Sequence, residues 1–347
     1  MYVKRRCYIR VPQGTVLAAI LFVIMISDID ENVKKCIVRS FADDTRVNKK
    51  ISNDKDKELM QKDLDAVYKW AIENKRKFNE SKFEQMAHGY SRNVTLDPYK
   101  TPGGEDIQIK ESAKDLGVLA TNDLKFKEHI NNITTSSRIV MGMLLRTFST
   151  REKEPMIKMF NAYIKSKLEY CCIVWSPNEL KYINELEDIQ RIFTKKIDGM
   201  DGLNYHERLK KLKMYSLERR RDRYLIIYGW QQIENIKENV LKLEISKRNS
   251  SRTIKSGQLP YYGTDGNRIL PSVKTQIVQC PAMKIERTFN CMPRYLRDMT
   301  GIKTETFKKH LDMWLTDIPD QPKCGRYAGC TEANSNSIQD QCQTHKR

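Results

Sequence analysis

The chain of 347 residues lacks any apolar run long enough to cross a membrane as a helix. Its longest, Val16 to Ile26, is 11 residues, whereas a bilayer-spanning helix needs roughly 18 or more. A secretory signal is the harder reading to dismiss. Lys4, Arg5, Arg6 and Arg10 precede the run like a basic leader, but Pro12-Gln13-Gly14 interrupts the approach. Ser27-Asp28-Ile29-Asp30 then stands where a small-residue cleavage site belongs. Cysteine is sparse and odd in number, nine in all, without the density or pairing of a disulfide scaffold. A reducing, intracellular compartment is therefore expected. Cys324, Cys330, Cys342 and His345 lack the tight Cys-x-x-Cys spacing of most structural zinc sites. Gly-x-Ser-x-Gly, the Walker phosphate loop and Gly-x-Gly-x-x-Gly are all absent, which leaves hydrolase, NTPase and dinucleotide chemistry unsupported.

Acidic residues are also in short supply. The chain has 62 Lys and Arg against 44 Asp and Glu, a net charge of +18. So large an excess favours a polyanionic partner, most simply nucleic acid. With 39% hydrophobic and 31% charged residues, the chain is more polar than usual but well supplied for a core, and its length suggests about two domains.

Periodicity then divides the chain. Cys36-Ile37-Val38 and Thr45-Arg46-Val47 flank Phe41-Ala42-Asp43-Asp44, the pattern of a β-hairpin with acidic residues at its tip. Met60, Leu64, Val67 and Ala71 recur at helical spacing within 56–80. Asp97 to Gly104 reads as a loop from its Pro and Gly, and the segments around Ile107–Ile109 and Leu116–Leu119 read as short strands. Beyond about 122 the pattern is helical. Phe126, Ile130, Ile133, Val140, Leu144 and Phe148 form one stripe, and Ile183, Leu186, Ile189, Phe193 and Ile197 another. Further helices are expected over Tyr215–Ile236 and Thr304–Leu315, with a linker at 246–266 and a poorly ordered polar tail from Pro319.

Two features bear on chemistry. Adjacent ionised carboxylates repel, so the Asp43-Asp44 pair is a candidate cation site, Mg²⁺ being the natural partner of carboxylate and phosphate oxygens. Alone, the pair reads equally well as a solvated turn. The second feature is Tyr205 to Arg223, where eight basic residues face three acidic ones and Tyr205 and Tyr215 interleave. Arg208, Lys210, Lys211, Lys213, Arg219, Arg220, Arg221 and Arg223 are candidates for contact with a nucleic-acid backbone. A solvated helix face is the plainer reading.

Val11-Pro12-Gln13-Gly14-Thr15-Val16-Leu17, the apolar run after it and Phe41-Ala42-Asp43-Asp44 together resemble the reverse transcriptases of non-LTR, LINE-like retrotransposons. Leu64-Asp65 to Trp70, Asn74, Phe78-Asn79 with Lys82, and Asp115-Leu116-Gly117-Val118 continue the series. His129-Ile130, Leu168-Glu169-Tyr170, Val174-Trp175, Leu186-Glu187, Gln190-Arg191, Leu217 to Arg221, Phe289-Asn290 and Met292-Pro293 extend it over nearly the whole chain. The resemblance implies an α+β fold: a partial polymerase palm at 1–120, a helical thumb-like region at 121–245, a C-terminal helical region with loops at 246–318, and a tail at 319–347. It implies that Asp43 and Asp44 are catalytic, Mg²⁺-holding carboxylates and that Lys82 sits near the nucleotide phosphates. Pro12, Gln13, Gly14, Phe41 and Ala42 would line the substrate site. RNA template, DNA primer and deoxynucleotides are the implied partners, and no membrane.

The sequence also departs from that pattern. The family's third carboxylate lies upstream of its Pro-Gln-Gly segment, whereas residues 1–10 contain no Asp or Glu. Arg10 stands for Gly, Thr15 for Ser, Ala18-Ala19 for Gly-Pro and Phe83 for Cys. The expectation is a truncated remnant, or a fragment of a longer protein, inactive as a polymerase alone and with an exposed sheet edge. A non-catalytic nucleic-acid-binding protein is the alternative.

Overall fold

The computed structural model describes residues 15–89, 97–238, 240–243, 245, 270, 280–322 and 335–344. The chain divides into two compact units, one of residues 1–113 and 121–123, the other of 114–120 and 124–347. Both helices and small sheets are present, as an α+β class requires. Among the described residues the strands form three separate two-stranded sheets, so every strand is an edge.

The first unit begins with α1, Val16–Ile26, capped by the Thr15 side chain accepting from the Ala18 N–H at 3.2 Å. The apolar run was expected to enter a buried helix. The helix forms, but none of its residues is buried, and Val16 is 81% exposed. A helix apolar on every face cannot be covered by a one-sided neighbour. The unit's core lies beyond it, where Ile29, Val38, Val67, Trp70 and Ala71 pack together and only Ile26 of α1 reaches them. Strands β1 (Ile37–Phe41) and β2 (Asp44–Asn48) form the expected antiparallel hairpin.

Helix α2 spans Asp54–Glu73. Asn53 caps it, accepting from the Asp56 N–H at 2.9 Å, and Asp54 and Asp56 in the first turn suit the positive end of the dipole. It stops before the expected residue 80 because Lys75 turns left-handed (φ 54°) and the Arg76 N–H closes back on the Ala71 carbonyl at 2.7 Å. β3 (Glu84–Gln85) and β4 (Gln108–Ile109) pair in parallel. β5 (Ser112–Asp115) and β6 (Val118–Thr121) form a hairpin in which the boundary between the units falls. Leu116 and Gly117, expected in a strand, are instead its turn, at φ 42° and 88°. Positive φ at both central residues is what a two-residue hairpin loop of this hand demands.

The second unit is helical. It comprises α3 (Lys127–Thr147), α4 (Lys153–Met159) continuing through a wide turn at Phe160–Lys165, α5 (Ser166–Glu169), α6 (Cys172–Trp175), α7 (Leu180–Lys195), α8 (Tyr205–Leu212) and α9 (Leu217–Ile233). After these come α10 (Pro281–Cys291), α11 (Arg294–Arg297), α12 (Thr304–Thr316) and α13 (Ile338–Thr344). Its core has two clusters. One joins Phe126, Ile130 and Leu144 to Phe160, Trp175, Leu186, Ile189 and Phe193. The other joins Ile226 and Trp230 to Ile285, Phe289, Phe307 and Leu311, with Trp230 stacked on Phe307 at 4.3 Å. The α7 stripe is buried as expected, while Phe148 ends its stripe exposed. Residues 335–344, expected to be poorly ordered, carry α13, whose Ile338 is fully buried in the second cluster. Asn336 and Gln341 are buried beside it, and Cys342 packs against the same cluster. The expected linker at 246–266 lies outside the described residues.

Candidate functional site

The β1–β2 hairpin pairs Ile37 with Asn48, Val38 with Val47, Arg39 with Arg46, Ser40 with Thr45 and Phe41 with Asp44, leaving Ala42 and Asp43 as its two-residue loop. Ala42 lies at φ 52°, a region that costs an L-residue roughly 1–2 kcal/mol. Side chains alternate between the faces. Val38 and Val47 turn to the core, whereas Ile37, Arg39, Phe41, Asp44, Arg46 and Asn48 are exposed. Asp43 and Asp44 therefore sit adjacent and exposed at the tip.

Asp63 on α2 fixes the hairpin's root. Its buried carboxylate accepts from the N–H groups of Lys34 (3.1 Å), Lys35 (2.8 Å) and Cys36 (2.7 Å). Burial works to raise the Asp63 pKa, but these donors outweigh it and hold the carboxyl below its ordinary range. The neighbouring Cys36 thiol is pushed up to about 12, first by burial and then by Asp63, so it is no nucleophile. The sequence carried no signal for Asp63, which reads as one more charge on a charged helix.

Lys82 closes a tight turn, Glu80–Lys82. An aromatic trio holds that turn to α2: Tyr68 stacks on Phe83 at 5.8 Å, and Phe78 meets both edge-on. The departure at Phe83 thus fills a packing position. Lys82 is exposed. Pro12, Gln13 and Gly14 lie outside the described residues. Phe41 and Ala42 are exposed beside the acidic pair. Among the described residues no group of three His, Cys, Asp or Glu could hold a metal ion. Asp43 and Asp44 offer carboxylate oxygens of the kind Mg²⁺ takes, but they do not complete a Mg²⁺ site by themselves.

The basic segment of the second unit is corrected by burial. Arg208 is buried on α8 and donates to the carbonyls of Leu203 (2.6 Å) and Arg191 (3.1 Å). Arg219 is wholly buried and donates to the carbonyls of Ile318 (3.2 Å) and Pro319 (2.7 Å). Arg220 pairs with Glu169 and donates to Tyr224 Oη at 2.9 Å. Arg223 forks onto Asp312 at 2.5 and 2.8 Å. Arg221 is buried with neither Nη hydrogen-bonded, facing the charges of Glu187, Glu218 and Asp222. Only Lys210, Lys211 and Lys213 are exposed. The other five are buried or half-buried: Arg208 binds α7 and the loop before α8, and on α9 the charge-rich face points inward where a helical wheel, blind to neighbours, assigns it to solvent.

That inward face is a buried polar network. Glu187 on α7 accepts from the first N–H groups of α9, Leu217 (3.0 Å) and Glu218 (3.3 Å), and from the Tyr205 hydroxyl. Burial pushes the Glu187 carboxyl up to about 7 against the pull of those donors, and Glu218 up to about 8. Asp320 accepts from the Ser216 N–H (2.7 Å), the Ser216 hydroxyl (2.6 Å) and Asn336 Nδ2 (2.8 Å). Glu187 thus takes the first two N–H groups of α9, and the Ser216 hydroxyl takes the next, at Arg219 (3.0 Å).

Residues 3–120 match the family model described as reverse transcriptase (RNA-dependent DNA polymerase). A Caenorhabditis elegans protein described as uncharacterized is 25% identical over 118 residues, 33% of this chain and 60% of that protein. The matched portion therefore spans less than two thirds of that relative. No solved structure matches. The match contains the acidic hairpin, α2 and the Lys82 turn, and it ends before α3 and the later helices that carry the buried arginines. The family match thus supports a reverse transcriptase relationship for residues 3–120, the part of the chain that carries the paired aspartates.

Proposed function

We propose that the chain derives from the RNA-directed DNA polymerase of a non-LTR, LINE-like retrotransposon and does not polymerise by itself. The ancestral reaction joins a deoxynucleotide to a primer 3′-OH on an RNA template. One observation carries the reading: Asp43 and Asp44 stand adjacent at the tip of an antiparallel hairpin within the matched residues. In this reading they are two of the carboxylates that hold Mg²⁺, Lys82 steadies the phosphates, and Pro12, Gln13, Gly14, Phe41 and Ala42 line the nucleotide site. The inactivity rests on the donor set, since no third ligand joins the pair among the described residues. Losing a group that balances transition-state charge removes orders of magnitude in rate.

Primer extension on an RNA template with Mg²⁺ tests this, comparing the chain with Asp43→Ala/Asp44→Ala. No extension is expected from either protein, with binding of an RNA–DNA hybrid at low salt retained. Extension that the double substitution abolishes would overturn the inactivity. Absence of hybrid binding at low salt would overturn the polymerase-derived reading.

A further inference from the structure

Helix α13 is too short to hold itself. It has seven residues, whereas helices below roughly 12–15 residues are marginal alone in water. Its order therefore comes from its seat on α9 and α10. The Ile338 N–H donates to Asp222 on α9 at 3.0 Å, and Asn336 Nδ2 donates to Ser216 Oγ at 3.1 Å. The Ile338 side chain is fully buried in the second cluster, and α10 packs directly against α13. At that contact Cys291, the last residue of α10, and Cys342, in the final turn of α13, open onto one cavity of about 220 Å³ walled by Trp314 and Ile318. Both side chains are half-buried thiols. Asp317 also lines the cavity, but among the described residues no three such groups could hold a metal ion. Arg297 on α11, 3% exposed, interacts electrostatically with Cys291, and a guanidinium beside a cysteine favours the attacking thiolate.

We propose that Cys291 and Cys342 form a reversible disulfide that staples α13 to α10, with a small-molecule disulfide, oxidised glutathione, as the oxidant. The Cys291 thiolate attacks one sulfur of the oxidant, forming a mixed disulfide and releasing one glutathione thiol. The Cys342 thiolate then attacks the Cys291 sulfur and releases the second. The protons of the two cysteines pass to the two released thiols, and two electrons pass from the cysteine pair to the oxidant. A disulfide needs Cβ atoms about 3.5–4.5 Å apart, and the cavity gives α13 the space to close. In a reducing compartment such a bond is transient and reports on oxidation. Because α13 supplies the donors to Asp222 and Ser216, the staple holds the cover over the polar start of α9. The pair lies outside residues 3–120, so the inference is independent of the polymerase-derived reading.

The test incubates the full chain with oxidised or reduced glutathione, then denatures, alkylates and digests it with trypsin without reduction. Residues 288–294 should appear joined to residues 327–346 after oxidation only. The second peptide also contains Cys330, so fragmentation of the joined pair places the bond, expected at Cys342. Cys330→Ser should keep the link, whereas Cys291→Ala and Cys342→Ala should each lose it. Hydrogen exchange at the Ile338 amide should slow by about tenfold or more on oxidation, because a crosslink closing a loop of this length favours the docked state by more than that factor. In Cys342→Ala, oxidation should leave that exchange unchanged. If an alanine variant unfolds, fragmentation of the wild-type peptides still decides where the bond is. A link at Cys330, a linked dimer on a non-reducing gel, or no link in the folded protein overturns the proposal. A Cys291–Cys342 link that leaves Ile338 exchange unaltered overturns the staple.

Discussion

Gly229 offers the sharpest test of how the helical unit is packed. It lies inside α9, where alanine is ordinarily the better residue by about 1 kcal/mol. A Cβ at this position would lie 2.3 Å from Ile285 Cγ2 on α10, with Ile285 Cβ and Cγ1 at 3.6 and 3.7 Å. Carbon contacts are favourable at roughly 3.5–4 Å, so the new methyl overlaps its neighbour by more than about 1 Å. Ile285 is fully buried and β-branched, and in a helix such a side chain has one strongly preferred rotamer. It cannot swing aside. Overpacking of this kind costs about 1–3 kcal/mol, which exceeds the gain in propensity. Gly229→Ala is therefore expected to lower the stability of the second unit by about 1–2 kcal/mol. Ile285→Ala alone should cost about 2–5 kcal/mol as a cavity. In the double variant the added methyl occupies part of that cavity, so the two losses should fall short of additivity by about 0.5–3 kcal/mol. Urea denaturation followed by circular dichroism on all four proteins measures this. A Gly229→Ala protein stabilised by about 1 kcal/mol, or strict additivity of the pair, would refute the close approach of α9 and α10.

Other expectations follow from the buried charges. Asp63→Ala leaves three backbone N–H groups at the hairpin root without their acceptor, and should cost about 1–3 kcal/mol and accelerate hydrogen exchange at Lys35 and Cys36. Because the Asp63 pKa is lowered on folding, its contribution is present above the unfolded carboxyl value near 3.9 and is lost as pH falls further; an acid titration of the hairpin amides should show that loss, and Asp63→Asn should blunt it. Glu187 and Glu218 have the opposite sign. Their folded pKa values are raised to about 7 and about 8, chiefly by burial, so the stability they confer is complete below about pH 4 and declines as pH rises towards 8. Glu218→Gln should flatten that decline in denaturation curves between pH 5 and about 8. Arg219→Ala removes the donors to Ile318 and Pro319, and should lower stability by about 2 kcal/mol or more while leaving the salt dependence of nucleic-acid binding unchanged; a change in that dependence would return Arg219 to the nucleic-acid surface.

Local chemistry determined a good deal by itself. Alternation around Phe41-Ala42-Asp43-Asp44 specified a hairpin with the aspartates at its tip, because strand side chains have a period of two and a two-residue loop leaves few residues to place there. The α2 and α7 stripes gave their helices for the same kind of reason, a period of 3.6. Burial of the basic segment was not legible. Arg208 on α8 and Arg219 and Arg221 on α9 look like solvent-facing charges, and only the carbonyls at 191, 203, 318 and 319 and the carboxylates of α7 and α9 turn them into internal braces. Asp63 was silent for the same reason, since its partners are backbone N–H groups of a loop some 27–29 residues earlier. The exposure of α1 was likewise undecidable, because an apolar run states that burial is favourable and leaves open whether a neighbour provides it. Sequence settled where the chain bends and which residues alternate. The tertiary structure alone decided which charges meet water, because burial depends on groups that the chain brings together only after it folds.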